Sequence, residues 1–148
     1  MTTTPAPTAP TTTPVQVAES FLDALVHQDF DRLAACLADD AHMRALLPPG
    51  NFEWTGSREI ADNLAFWFGD AEEIEVLHAT VDEIGGRLHL RWRLRVSSCP
   101  RGPGWHVIEQ QAFADATDRI ESLDLLCSGF HPEDEAEQST NQAPGGRS

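Results

Sequence analysis

The hydrophobic positions of the chain change period part-way along, from helical spacing to the alternation of a strand. Residues 15–26 place their apolar side chains on one helical face, and Thr13 with Gln16 forms a capping-box pattern in front of it. Asp29 precedes a second, shorter apolar stripe, and Ser57 precedes a third. The pattern predicts three amphipathic helices capped by Thr13, Asp29 and Ser57.

After these stripes the apolar positions alternate with polar ones, which is typical of half-buried strands. One short strand is predicted before the third helix, at residues 41–49, and the others follow it. The later strands are predicted at residues 72–84, 87–96, 105–114 and 119–127. Short turns between them favour an antiparallel meander. The order of elements predicts an α+β fold with the helices on one face of the sheet.

The two ends lack this periodicity. Residues 1–13 are almost entirely Thr, Pro and Ala, and residues 132–148 are polar, so both are predicted to be disordered around one domain at 14–131.

The formal net charge of −14, from 24 acidic and 10 basic residues, argues against nucleic-acid binding. No apolar run is long enough to span a membrane, and no secretory signal is visible. With an odd number of cysteines and no CxxC pair, we expect a cytoplasmic protein.

The arginines are concentrated on one segment. Five of the ten basic residues lie in residues 85–102. Strand alternation puts Arg91, Arg93 and Arg95 in a row on the face opposite the core. The row is either a solvated face that discourages edge aggregation or the interface of a symmetric homodimer, since guanidinium groups tolerate interfaces well. The carboxylates that a partner could supply from this sheet are Glu72, Asp82 and Glu121.

A two-residue turn at Gly85-Gly86 predicts the register of the first long hairpin. The register of the next strand is open, because its loop is longer and a slip of one residue exchanges its faces. The predicted pairs across the first hairpin are Leu90 with Val81, Trp92 with Ala79, Leu94 with Leu77, Arg91 with Thr80, Arg93 with His78 and Arg95 with Val76.

Two registers of residues 105–114 lead to different chemistry. In the first, Val107 and Phe113 face the core and carry Glu109 and Gln111 inward, with Asp124 opposite Glu109. Burial and like charge would then raise a carboxyl pKa, so that the two carboxylates could act as acid and base. In the second register both carboxylates lie in water. The residues that then point inward are His106, Ile108, Gln110 and Ala112.

Aromatic and histidine side chains complete the candidate site. Trp92, Trp54 and Trp67 are either ordinary core or the lining of a ligand site. His42 is a further polar candidate, although a lone histidine near a core is usually structural. No metal site is predicted: the histidine and glutamate of HVIE lie three apart on a strand and so face opposite sides. Neither a phosphate-binding loop nor a nucleophile motif is present, and no cofactor is expected.

Three local strings, in this order, resemble the SnoaL-like branch of the nuclear-transport-factor-two-like superfamily. They are VAESFLDALVHQDFDRLAACLADDA, WTGSREIADNLAFWF and AFADATDRIESLDLLCSGF. The resemblance covers residues 15–131 and implies a cone of three helices on a curved, mainly antiparallel sheet. It also implies a pocket for a small apolar molecule on the concave face and a homodimer through the outer face. The family includes polyketide cyclases and ketosteroid isomerases, but no branch's complete catalytic set is matched here.

Two functions therefore remain open. The first is a cofactor-independent isomerase, cyclase or dehydratase, in which Glu109 and Asp124 serve as acid and base and Gln111 orients a small apolar substrate. The second is a non-catalytic ligand-binding or dimerisation module, whose hollow is filled by its own side chains. An open cavity containing both carboxylates would favour the enzyme, and a collapsed, aromatic-filled hollow would favour the module.

Overall fold

The computed structural model describes residues 12–133, which form three helices against a seven-stranded sheet. The predicted arm (1–13) and tail (132–148) lie outside the described residues except at their inner ends, where Pro132 and Glu133 belong to the fold rather than to a tail. The helices are α1 (Pro14–Val26), α2 (Phe30–Ala35) and α3 (Ser57–Phe68). The strands are β1 (Leu37–Leu47), β2 (Gly50–Thr55), β3 (Glu73–Ile84), β4 (Arg87–Cys99), β5 (Gly102–Ala116), β6 (Ile120–Cys127) and β7 (His131–Pro132).

The helix starts follow from their capping residues. Thr13 accepts from the Gln16 backbone N–H at 3.1 Å and donates its own N–H to the Gln16 side chain, so the predicted capping box is confirmed. Asp29 caps α2, also as predicted. The third cap is wrong by one residue: Gly56, not Ser57, precedes α3, because the sharp turn out of β2 requires a φ of +98°.

The sheet confirms the predicted α+β class, with strand order β2-β1-β6-β5-β4-β3 and β7 added beside β5. Strands β3 to β6 form the predicted antiparallel meander, and β1 joins it through a parallel pairing with β6. The one short strand predicted at 41–49 is instead a hairpin of β1 and β2. Strand β2 was missed because it is short and mostly exposed, so it carries little apolar alternation.

The register between β3 and β4 agrees with the prediction near the turn and departs from it further on. Leu90 pairs with Val81, and Trp92 with Ala79, as expected. A bulge between Val76 and His78 then shifts the partners by one residue. As a result Leu94 pairs with Val76 rather than Leu77, and Arg95 with Glu75 rather than Val76.

Strand β5 takes the second of the two registers, so the first one is wrong. Val96 pairs with His106, Trp92 with Gln110 and Leu90 with Ala112. The physical reason is a second irregularity, because the β4–β5 ladder shifts between Ser97 and Cys99 while Ser98 adopts a φ of +64°. This shift exchanges the faces of β5 and turns every odd-numbered residue from 107 to 113 outward.

Helices and sheet enclose one continuous apolar core on the concave side. Its largest fully buried side chains include Trp92, Phe21 and Phe68. Within residues 12–133, no helix is long and apolar enough to cross a membrane. The concave face on which the expected pocket would lie is therefore the packed interior of the domain.

Candidate functional site

The centre of the concave face is filled by Trp92, whose side chain is fully buried. Its indole Nε1 donates to the Oε1 atom of Gln110 at 2.9 Å, and the ring of Phe21 packs edge-on at 6.4 Å. Gln110 is itself fully buried, and its amide donates to Cys127 Sγ at 3.2 Å. Because the buried polar atoms of Trp92 and Gln110 find partners in each other and in Cys127, this part of the hollow needs no ligand or water.

Cys127 lies at the edge of this cluster. Burial raises the pKa of its thiol, while hydrogen bonds from the Gly129 N–H and the Gln110 amide act in the opposite direction. A raised pKa keeps the sulfur as a neutral thiol at neutral pH, which is the unreactive form. Its role here is to accept hydrogen bonds in the packed core.

The proposed acid–base pair is not in the hollow. Glu109 and Asp124 both lie on the outer face, where Glu109 Oε2 accepts from Arg91 Nε at 2.9 Å. Asp124 accepts from Arg44 at 2.8 Å and Arg87 at 3.4 Å. The expectation of a raised carboxyl pKa is wrong for Asp124: the hydrogen bond from Arg44 is the main cause that lowers its pKa.

The remaining candidate residues divide between the two faces. Gln111 points outward and bonds His89 at 2.9 Å, and His42 points outward beside Glu53 at 3.2 Å, so neither lines the hollow. Trp54 and Trp67 lie on the core side as a partly buried edge-on pair with ring centroids 5.9 Å apart. The side chain that sequence reasoning left out of the candidate set is Gln110, whose inward position was already a feature of the second register.

The arginine row is neutralised mainly within the chain. Two of its three members, Arg91 and Arg95, form ion pairs within the chain, as does Arg87 on the same face of β4, whereas Arg93 forms no ion pair with any residue between 12 and 133. Glu72, Asp82 and Glu121 were named as carboxylates that a dimer partner could supply, and their contact with the row across a dimer stays a prediction. The ion pairs are Arg87 with Asp115 and Asp124, Arg91 with Glu109, and Arg95 with Glu75 and Glu133.

Apolar side chains interrupt this charged face. Leu46 and Leu126 pair across β1 and β6 and are 51% and 45% exposed. Two depressions of about 540 Å³ each meet at these leucines, one reaching Asp124 and the other Glu109. Among residues 12–133, no three His, Cys, Asp or Glu side chains converge to hold a metal ion. The outer face thus combines an exposed apolar centre with paired charges around it.

The ion pairs of Asp124 predict a loss of stability in acid. Its folded pKa is lowered below the unfolded value of about 3.9, so its contribution is present above that pH and is lost as pH falls through the folded pKa. We expect the unfolding free energy of Asp124→Asn to depend less on pH in the acid range than that of the wild type. Urea unfolding between pH 7 and pH 2.5 measures it, with Asp118→Asn in the β5–β6 turn as control. An unchanged pH dependence in Asp124→Asn would contradict the assignment.

Comparisons with known proteins agree with this architecture. The model of the SnoaL-like domain family matches residues 18–121. No curated protein matches the sequence.

Several solved structures share the fold. A protein of ketosteroid isomerase-like fold from Catenulispora acidiphila, in complex with trimethylamine, is 16% identical with a TM-score of 0.63, over 79% of this chain and 88% of that one. An NTF2-like protein from Cytophaga hutchinsonii is 15% identical with a TM-score of 0.58, over 87% and 99%. A proposed polyketide cyclase from Xanthomonas campestris is 19% identical with a TM-score of 0.58, over 74% and 86%.

At these identities the structural likeness shows the fold alone. The family match, in contrast, is made on the sequence and spans the helices, the hairpin and most of the meander. It confirms the resemblance that the three local strings indicated. The chain therefore belongs to the SnoaL-like domain family.

Proposed function

We propose that this SnoaL-like domain is a non-catalytic module that associates with a second copy of itself through the outer face of its sheet. The observation that carries the proposal is the filled hollow, where Trp92 and Gln110 are fully buried and bond each other. An acid–base mechanism needs proton donors and acceptors that face a dry cavity. The two carboxylates considered for that role instead face outward and bind arginines.

The outer face has the composition of an interface. Its centre holds Leu46 and Leu126, both about half exposed, and a patch of this kind rimmed by polar groups is typical of association surfaces. Ion pairs made within the chain neutralise most of the rim, so two copies can approach without strong repulsion between their arginines. Arg93, which forms no ion pair within residues 12–133, would meet a carboxylate of the second copy in an isologous contact.

Association through this face is tested by the mass of the protein in solution. We expect the wild type to be a dimer at micromolar concentration. Leu126→Asp should weaken the dimer at least about tenfold, because it puts an unpaired carboxylate at the centre of the buried surface. Arg93→Glu should weaken it as well. Analytical ultracentrifugation over a dilution series gives the dissociation constants.

Phe66→Asp is the matched control, since Phe66 is 68% exposed on α3, away from the sheet. It should leave the association state unchanged. A wild type that stays monomeric, or a Leu126→Asp variant that associates as tightly as the wild type, would end the proposal.

A further inference from the structure

Strand β3 forms one edge of the sheet. It pairs with β4 on one side, and within residues 12–133 no strand pairs with its other side. None of its 12 residues is buried, whereas the core-facing residues of β4 are almost fully enclosed. A free edge presents a row of backbone N–H and C=O groups that can pair with another extended chain. At about twice the ordinary length of a strand, β3 offers many such groups.

A bulge divides this edge into two parts. The ladder with β4 shifts between Val76 and His78, and a bulge of this kind hinders pairing at the place where it occurs. From His78 to Ile84 the pairing with β4 continues without a break, and we call this stretch the open edge (His78–Ile84). It contains neither proline nor lysine, the residues that most often protect an edge. The open edge is therefore free to accept a strand.

An apolar groove runs beside the open edge on the core side of the sheet, between β3 and α1. Its volume of about 260 Å³ is below the range of small-molecule sites and suits a few aliphatic side chains. Every second side chain of a strand added to β3 would point toward this groove. The residues that line it are Val76, Ala79 and Val81 from β3, and Glu19, Leu22, Asp23 and Val26 from α1.

The charges around the open edge are acidic. Asp82 and Glu83 belong to it, and Glu19 lies beside the groove. None of these three carboxylates forms an ion pair with any residue between 12 and 133, whereas the adjacent Asp23 is paired with Arg32 at 2.8 Å. Carboxylates without a cation attract a basic partner and repel an acidic one.

The same charges argue against a second copy of this chain as the occupant of the edge. Two β3 edges that paired with each other would bring the acidic residues of both strands into one seam, and like charges that face each other destabilise a strand pair. The acidic residues of β3 are Glu73, Glu75, Asp82 and Glu83. Each chain also carries a formal net charge of −14. The edge therefore suits a partner of opposite charge.

We propose that the open edge binds an extended segment of another protein as an added strand, in which aliphatic residues alternate with Lys or Arg. Pairing with the β3 backbone supplies the affinity, and the groove and the carboxylates select the sequence. The outward-facing arginines of β4 lie about 10 Å from such a strand, and all except Arg93 are paired with carboxylates. This site goes beyond the association proposed above, because it uses the edge of the sheet and not its outer face.

Binding is tested with the full chain and a blocked heptapeptide of alternating Lys and Val. Calorimetry at low ionic strength should show saturable binding, and the same peptide with Glu in place of Lys should bind at least about tenfold more weakly. Glu83→Arg should weaken binding of the Lys–Val peptide about tenfold, because it places a cation beside the groove. No saturable binding, or equal affinity for the two peptides, would overturn the proposal.

Asp118→Arg is the matched control for Glu83→Arg. It changes the net charge by the same amount in the turn between β5 and β6, away from the open edge. We expect it to change the dissociation constant of the Lys–Val peptide by less than about twofold. Equal weakening by the two variants would mean that the peptide responds only to net charge, which would contradict a site at this edge.

Hydrogen exchange distinguishes an added strand from a merely electrostatic contact. Backbone amides of β3 that point away from β4 have no strand partner in the free protein, so a saturating concentration of the Lys–Val peptide should slow their exchange at least about tenfold within residues 78–84. The amides of β2, at the opposite edge of the sheet, should keep their rates. Binding without slower exchange in the open edge would refute the added strand. Conversion of dimers to monomers by the peptide would also refute the proposal, since the edge would then be the contact between copies.

Discussion

Replacing Trp92 by alanine is expected to lower the free energy of unfolding by about 3–5 kcal/mol, the range for removing a fully buried large aromatic side chain. The ring is completely enclosed and packs against Phe21, and its removal also leaves the Oε1 atom of Gln110 without a donor. Both effects act in the same direction. A small domain has only about 5–15 kcal/mol to lose, so the variant should be close to unfolding at 37 °C.

Urea unfolding followed by far-ultraviolet circular dichroism measures this loss without depending on tryptophan fluorescence. Phe66→Ala serves as the control, because the same type of side chain is removed from an exposed position and the change should stay within about 0.5 kcal/mol. A loss below about 1 kcal/mol in Trp92→Ala would mean that the hollow is loosely packed. A loosely packed hollow would have room for a substrate.

Placing a carboxyl group in the hollow is the second large perturbation. Gln110→Glu is nearly isosteric, but the ionised side chain would be buried without a cation, which costs about 3–5 kcal/mol at pH 7. Burial raises the folded pKa of the introduced carboxyl above its unfolded value of about 4.3. The deficit relative to wild type is therefore complete above the folded pKa, shrinks as pH falls through it, and is gone below about pH 4.

Gln111→Glu is the matched control for that experiment. The same chemical change one residue later falls on the outer face beside His89, where the side chain reaches water. We expect its effect on the unfolding free energy to stay within about 0.5 kcal/mol at pH 7. The comparison of the two variants across pH 4 to 8 tests the register of β5 directly. Equal effects at both positions would contradict the inward orientation of Gln110.

The helices and the order of the strands could be predicted because each depends on local chemistry. Thr13 and Asp29 cap their helices through contacts with residues three positions away, and the Gly85-Gly86 turn sets the first pairs of its hairpin. Such contacts are readable from a single sequence. The face assignment of β5 could not be read from the sequence in this way, because it depends on a one-residue shift beside Ser98. The alternation of side chains along β5 is compatible with Glu109 on either the core face or the outer face of the sheet.

The predicted acid–base site was wrong for the same reason, because it depended on that face assignment of β5. Once β5 turns over, Gln110 replaces Glu109 and Gln111 at the centre, and the acid–base pair becomes part of the outer charge network. The arginine row was placed on the correct face, since β4 has an unambiguous apolar side. Its partners could not be predicted, because they come from β3, β5, β6 and the residue that follows β7, and so depend on all the registers at once. Pairing across strands is the part of a sheet that the sequence determines least directly.

The parallel pairing of β1 with β6 links two segments about eighty residues apart, such as Arg44 and Asp124. Closing a loop of that length is slow and gains nothing until its ends meet. During synthesis β1 therefore lacks its parallel partner until β6 has left the ribosome. A chaperone that covers the early half of the chain would be expected to raise the yield of native protein more than one that acts on the completed chain.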